Sequence, residues 1–285
     1  MPELPEVETV CRFLHAKLLK KRIIDIKVNQ ANLRMPITQN INEVIKSGVV
    51  TNIRRRGKYI IWDMSNHTLV IIHLGMSGKL LYLDGQTPTG KHNHVLFFLE
   101  DRSSIIYNDP RRFGLVIAIN AKEEGQFFRH LGIEPLTDDF SGSALKKVLT
   151  SKTASIKSIL MNSKIIVGIG NIYAAESLFL AGISPLRLAK DLSQEECDKL
   201  VVAIKNTLTC AINAGGSTLK DYANPSGSPG YFQHHFKVYG RAGRPCIICN
   251  NTILSVRQSG RSTFYCSKCQ NSQVLPHLDS LNLCY

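Results

Sequence analysis

The chain has 285 residues, 44% of them apolar, and a formal net charge of +13 from 35 Lys and Arg against 22 Asp and Glu. That apolar content supports a full core and excludes global disorder, and the length accommodates two domains of ordinary size. The charge excess favours encounter with polyanions without saying which, and no apolar run approaches the ~20 residues of a bilayer span.

The first residues, Met1-Pro2-Glu3-Leu4-Pro5-Glu6, lack the basic and apolar regions of a signal peptide. Val7, Val10, Cys11, Leu14 and Leu18 then fall at helical spacing within residues 2–20. From about 23 to 119 the texture changes to short β-prone runs: Ile23–Val28, Tyr59–Met64, Thr68–Leu74, Val95–Leu99, Ser104–Tyr107 and Leu115–Ile119. Turn residues punctuate them, and such a series predicts a β-sandwich or barrel. The pattern stops near Leu131-Gly132-Ile133-Glu134-Pro135, and the polar stretch to Gly142 reads as a linker. Helices are expected at Leu145–Leu149, Ser155–Met161 and Asn171–Ala181. A capping box, Ser193-x-x-Glu196, opens a longer one with Cys197, Leu200, Val201, Ile204, Leu208, Ala211 and Ile212 on one face, stopped by Gly215-Gly216. A loose Pro/Gly segment, Asp221–Gly230, precedes the cysteine-rich end, and no repeat is visible. The expected fold is α+β in two domains joined by a hinge, with a cleft between them. Its parts are a helix plus β-sandwich over 2–131, a linker at 132–142, a helical domain over 143–235, a metal-bound hairpin over 236–271 and a tail at 272–285.

Cys246-x-x-Cys249 and Cys266-x-x-Cys269 stand sixteen residues apart, the spacing of a structural zinc site. Between them, Thr263-Phe264-Tyr265 follows a Ser259-Gly260 turn beside Arg257 and Arg261. This reads as a β-hairpin clamped by one Zn2+ with arginines at its tip, two disulfides or loose thiols being the alternatives. The scattered Cys11, Cys197, Cys210 and Cys284 suggest a reducing, cytosolic setting.

With Met1 removed, as is expected before Pro, Pro2 becomes a secondary amine titrating near ~8. Such an amine attacking a sugar C1′ gives an iminium ion, an electron sink for eliminating the 3′ and then the 5′ phosphate. Glu3 beside it and Glu6 one turn on can move protons. Taken alone, Pro2-Glu3 reads better as ordinary helix-start chemistry. The run Arg54-Arg55-Arg56-Gly57-Lys58-Tyr59 is either a charged strand edge or a phosphate clamp built on Lys58. His73-Leu74-Gly75-Met76-Ser77-Gly78 and Asn108-Asp109-Pro110-Arg111-Arg112-Phe113-Gly114 are turns that expose Met76, Arg111 and Phe113 as wedge and gap-filling side chains, or else bury them. Val167-Gly168-Ile169-Gly170-Asn171-Ile172-Tyr173 lacks the preceding strand of a dinucleotide site and fits a helix–turn–helix anchor with Asn171 on phosphate.

These motifs, in this order and with Gly230-Tyr231-Phe232, make residues 1–271 closely similar to the formamidopyrimidine-DNA glycosylases. The resemblance implies a zinc-finger, helix-two-turn-helix repair enzyme of oxidised purines, with the paired helices at about 155–181. It implies Pro2 as nucleophile and Glu3 as acid/base, with Lys58 and Arg261 in the catalytic region. Met76, Arg111 and Phe113 would replace the flipped nucleotide and probe the opposite cytosine. Asn171 and Arg261 would grip flanking phosphates, with His73, His94, Lys220 and Tyr239 as further DNA contacts. Residues 220–231 would be the loop that closes over the lesion. Cys246, Cys249, Cys266 and Cys269 would hold one structural Zn2+. The partner would be duplex DNA with the lesion opposite cytosine, bound by a monomer in a bacterial cytoplasm. Asn250 stands where the family often has Gly, and the tail extends past the usual end. Two other readings compete: an endonuclease VIII-like glycosylase for oxidised pyrimidines, and a non-catalytic zinc-finger DNA-binding protein.

Overall fold

The computed structural model describes residues 2–46, 48–85, 89–218, 225, 227 and 229–270. They form two units, Met1–His130 with Ala214–Tyr231, and Leu131–Asn213 with Phe232–Tyr285.

The first unit opens with α1, Leu4–Leu18, which buries the expected stripe of Val7, Val10, Cys11, Leu14 and Leu18. Next come β1 (Ile23–Val28), the short α2 (Ile41–Ile45), β2 (Val50–Arg56), β3 (Tyr59–Met64), β4 (Thr68–His73), β5 (Lys79–Leu83), β6 (Asn93–Leu99), β7 (Ser104–Asn108), β8 (Leu115–Asn120) and a short α3 (Glu124–Phe128). The strands make two four-stranded sheets, β1-β6-β7-β5 and β2-β3-β4-β8, with antiparallel pairing throughout. Side chains alternate across a pleat. Thus Ile26, Val95, Phe97, Ile105 and Leu80 of the first sheet and Ile53, Ile60, Trp62, Val70, Ile72 and Val116 of the second share one core with α1. Trp62 and Phe97 meet edge-on between the sheets, centroids 4.9 Å apart. This is the expected sandwich.

Two strands were hidden in the sequence. β2 runs through the arginines of the basic run and lies at a sheet edge, and β5 escaped for want of alternation. The charges on β2 are consumed locally. Arg54 forks onto Asp63 of β3 and Glu124 of α3, at 2.9 and 2.6 Å. Arg55 pairs with Glu8 of α1 at 2.9 Å. Arg54 and Arg55 thus tie an edge strand down, and Lys58 stands in the two-residue β2–β3 turn. Gly57 occupies the turn's positive-φ position, φ 57°.

In the second unit, α4 (Gly142–Leu149) and α5 (Ile156–Leu160) start at Ser141 and Ser155, whose hydroxyls accept first-turn N–H groups. α6 (Asn171–Leu180) follows, then α7 (Gln194–Asn213), then the hairpin β9 (Leu254–Gln258) and β10 (Arg261–Tyr265). The capping box before α7 closes as expected: Glu196 N–H donates to Ser193 Oγ and Ser193 N–H to Glu196 Oε2, at 3.2 and 2.8 Å. Residues 132–142 are anchored rather than loose. Gly132 and Ile133 donate to Ser163 and Ile165, and Phe140 is 1% exposed. A Cβ on Gly132 would lie 2.1 Å from the Ile165 oxygen, so only glycine fits this approach. No described helix is long and apolar enough to cross a membrane.

Candidate functional site

α1 begins where the proposed nucleophile stands. Pro2 is buried and leads into the N-cap residue Glu3. A capping box joins Glu3 and Glu6, and Glu6 Oε2 accepts the Glu3 N–H at 2.8 Å. The other Glu6 oxygen accepts the Ser217 N–H at 2.7 Å, tying the segment after α7 to the start of α1. Glu3 and Glu6 are 3% and 2% exposed. The neighbouring Gly216 has φ 81°, and a Cβ there would sit 3.0 Å from Glu6 Oε1. Two carboxyls withdrawn from water next to Pro2 are placed to move protons.

The turns after β4 and β7 lie against each other. Gly75 has φ 61°, and a Cβ on it would fall 2.5 Å from the Phe113 carbonyl carbon. Met76 and Phe113 are 37% and 46% exposed, enough to act outward, and the Arg111 guanidinium stacks 4.7 Å from the Phe113 ring centre. Beneath them Asp109 is 0% exposed. Its carboxylate accepts Ser77 Oγ at 2.6 Å, Gly114 N–H at 2.9 Å and Tyr107 OH at 3.2 Å. His94, expected on DNA, is buried, with Nε2 2.8 Å from the Asp109 carbonyl oxygen. Its ring supports this turn.

His73 ends β4. Its Nδ1 accepts the Gly75 N–H at 2.9 Å, which leaves the hydrogen of the neutral ring on Nε2. Burial, then the nearby Arg34 and Lys58 charges, pushes its pKa down to about 4. A neutral donor near these two cations suits a phosphate oxygen. The sign follows: the unfolded chain binds the proton more readily, so His73 stabilises fully above pH 6.5 and loses that contribution as pH falls toward 4. His73→Gln should flatten the fall in unfolding free energy across that window, measured by denaturant titration at each pH, by up to about 1.4 kcal/mol per pH unit. Equal slopes for the two proteins would refute the assignment.

In the second unit, Asn171 opens α6, and its Nδ2 donates to the Ser262 carbonyl at 3.0 Å. Lys157 of α5, 2% exposed, reaches the same carbonyl at 3.0 Å and Thr263 Oγ1 at 2.7 Å. Two helices thus hold β10 next to Arg261, which is exposed beside the Ser259-Gly260 turn. Glu176 of α6 accepts N–H groups from Lys237, Val238 and Tyr239, at 2.9, 3.1 and 2.8 Å. That fixes the backbone carrying Tyr239, whose ring packs on Phe236 and Phe264. Burial raises the Glu176 pKa against the pull of those three N–H groups. Lys220 lies outside the described residues.

The four thiols of Cys246, Cys249, Cys266 and Cys269 all lie within 4.8 Å of one another. A tetrahedral Zn–S4 centre at ~2.3 Å per bond needs sulfurs about 3.8 Å apart. The measured pairs are 3.8 Å for Cys246–Cys269 and 3.5 Å for Cys249–Cys266. Asn250 takes φ 59°, the left-handed knuckle position that Asn tolerates in place of Gly. The donor set fits one structural zinc, and its thiols join Val238, Ile253, Ala175 and Phe179 in a small core.

The sequence reading named Pro2, Glu3, the three turn residues and the cysteines, and the structure brings the four thiols together as expected. It missed what Asp109, Ser77, Lys157 and Glu176 do. Glu176 alone left a signal, a single acid in the apolar Asn-Ile-Tyr-Ala-Ala-Glu-Ser-Leu-Phe-Leu helix.

Fold and site together define a class: a two-unit protein with a β-sandwich, paired helices, a four-cysteine zinc hairpin and a proline-headed acidic helix. Three family models match it: formamidopyrimidine-DNA glycosylase N-terminal domain over residues 1–116, the helix-two-turn-helix (H2TH) domain of the same glycosylase over 131–223, and the zinc finger found in FPG and IleRS over 243–271. A formamidopyrimidine-DNA glycosylase from Wolbachia sp. subsp. Brugia malayi is 61% identical over 271 residues, covering 95% of this chain and 100% of that protein. One from Rickettsia bellii is 43% identical over 273 residues, with the same coverage. Lactococcus lactis Fpg solved with abasic-site DNA superposes with TM-score 0.88 at 31% identity, covering 95% of this chain and 100% of that one. The same enzyme with DNA containing an oxidised pyrimidine gives 0.87 at 31% identity and the same coverage. The chain belongs to the formamidopyrimidine-DNA glycosylase family, enzymes that act as DNA glycosylases and abasic-site lyases in base-excision repair.

Proposed function

We propose that this protein excises oxidised purines, 8-oxoguanine and formamidopyrimidines, from duplex DNA and cuts the strand by β,δ-elimination through a Schiff base on Pro2. The observation that carries the reading is Pro2 set directly before two buried carboxyls, Glu3 at 3% and Glu6 at 2% exposure. With Met1 removed, the proline nitrogen bonds C1′ while the glycosidic bond breaks and its electron pair leaves with the base. Glu3 protonates the sugar ring oxygen as the ring opens, leaving an iminium ion. Loss of a C2′ proton expels the 3′ phosphate, a second elimination expels the 5′ phosphate, and water frees Pro2.

The remaining residues hold the DNA. Lys58, His73, Asn171, Arg261, Lys220 and Tyr239 engage the strand around the lesion, and His94 acts through its bond to the Asp109 carbonyl. Met76 and Phe113 fill the space of the extruded nucleotide, and Arg111 reads the opposite base, preferably cytosine. The segment 220–231, assigned to close over the lesion, lies largely outside the described residues. The protein acts as a monomer on nucleoid DNA in the cytoplasm.

Borohydride trapping on a duplex with 8-oxoguanine opposite cytosine, followed by mass spectrometry, tests this. An adduct on Pro2 is expected; tight binding with no adduct overturns the mechanism and favours a binding-only protein. A second reading, excision of oxidised pyrimidines, draws on the Lactococcus complex with an oxidised pyrimidine. A lesion panel separates the two.

A further inference from the structure

The geometry points to Asp109 as a positioning residue that locks the Met76 turn and the Arg111–Phe113 turn into one body, so that filling the gap in the duplex and testing the opposite base become a single act. This rests on the roles proposed above for those three side chains.

Asp109 is wholly buried, and among the described residues no Lys or Arg side chain pairs with it. A carboxylate taken out of water without a countercharge brings little net stability, so its value lies in what it orients. Its donors come from both turns. Ser77, which follows Met76, donates its hydroxyl to Oδ1 at 2.6 Å. Arg111 donates its own N–H to the same oxygen at 3.3 Å and to Ser77 Oγ at 3.2 Å. Gly114, which follows Phe113, donates its N–H to Oδ2 at 2.9 Å. Each outward-acting residue is thus on, or next to, a residue tethered to one carboxylate.

The surroundings tie the two turns to each other. Tyr107 OH donates to Asp109 Oδ2 and also lies 3.2 Å from the His73 carbonyl, which ends the strand before the Met76 turn. A Cβ on Gly114 would fall 1.6 Å from that hydroxyl, and one on Gly78 2.8 Å from it. Between the tethered Arg111 and Gly114, Arg112 takes φ 58°, an uncommon conformation for a long side chain.

Asp109→Asn separates positioning from support. An amide can accept on one side only; its NH2 must face either the Gly114 N–H or the Ser77–Arg111 pair, and one turn is released. Single-turnover excision of 8-oxoguanine opposite cytosine should fall about tenfold or more, the effect of one buried charge-assisted hydrogen bond. The preference for cytosine over adenine opposite the lesion should shrink with it. Cutting at a preformed abasic site should fall less, because no base has to be unstacked. Ser77→Ala should give a smaller loss, and the double variant should be no worse than Asp109→Asn alone, since both act through one network. Parallel loss of excision and abasic cutting with a lowered melting temperature, an unchanged opposite-base preference, or additive losses would each overturn the assignment. Anisotropy with the same duplexes reads the opposite-base preference in binding alone. It therefore decides the Asp109 question even if the wild type forms no Pro2 adduct.

Discussion

Glu3→Gln should reduce base excision about a thousandfold in single turnover, within the range that a positioned acid/base contributes. The substitution is clean because the fold does not need the charge. Glu3 caps α1 as an acceptor for the Glu6 N–H, and a glutamine oxygen can still accept it, while Glu6 keeps its hold on the Glu3 and Ser217 N–H groups. On the proposed mechanism, what is lost is a proton for the sugar ring oxygen. The Pro2 amine survives, so trapping at a preformed abasic site should fall far less than excision. Single-turnover rates on the two duplexes measure the difference. Excision within tenfold of the wild type would sink Glu3 as the acid and move the role to Glu6, the other buried carboxyl of the first turn.

The sequence exposed the parts whose signal is spacing. Cys-x-x-Cys pairs sixteen residues apart constrain geometry so tightly that the thiols' approach to within 4.8 Å was readable in advance. The stripe of α1 and the Ser193–Glu196 box were readable for the same reason. β2 was not, because Thr51, Asn52 and three arginines hide its two buried positions, Val50 and Ile53; its charges are absorbed by Asp63, Glu124 and Glu8, partners distant in the chain. Asp109 illustrates the deeper limit. An acid before proline in a turn is by default solvated, and nothing local says that Ser77, Tyr107 and Gly114 will converge on it. Lys157 is the cationic counterpart: its spacing on α5 suggests an exposed lysine, yet it ends on the Ser262 carbonyl. Exposed turn residues such as Met76 and Phe113 were legible, whereas His94 was read as outward and is buried, and the groups that hold the turns from behind required tertiary structure.

Removing the zinc should separate the two units' contributions. Wild-type protein should release one zinc per chain to a thiol-reactive mercurial with a colorimetric chelator, and Cys266→Ser should release almost none. A structural zinc contributes roughly 10–16 kcal/mol of apparent binding energy in finger peptides, as much as or more than the ~5–15 kcal/mol that stabilises an ordinary domain. Without it the β9–β10 hairpin is two-stranded and marginal, and four of the residues in its small core are the thiols themselves. Arg261 then loses its mounting, and Lys157 and Asn171 lose the Ser262 carbonyl they share. DNA affinity should drop by about a hundredfold, the scale of two or three lost phosphate contacts at moderate salt. The first unit should persist, because its core of Trp62, Phe97 and α1 contains no residue of the finger. Tryptophan fluorescence reports it well, since Trp62 is the chain's one tryptophan and lies in that core. A zinc-free variant that binds the lesion duplex as tightly as the wild type would remove the finger from the DNA interface and leave that task to Asn171 and the first unit.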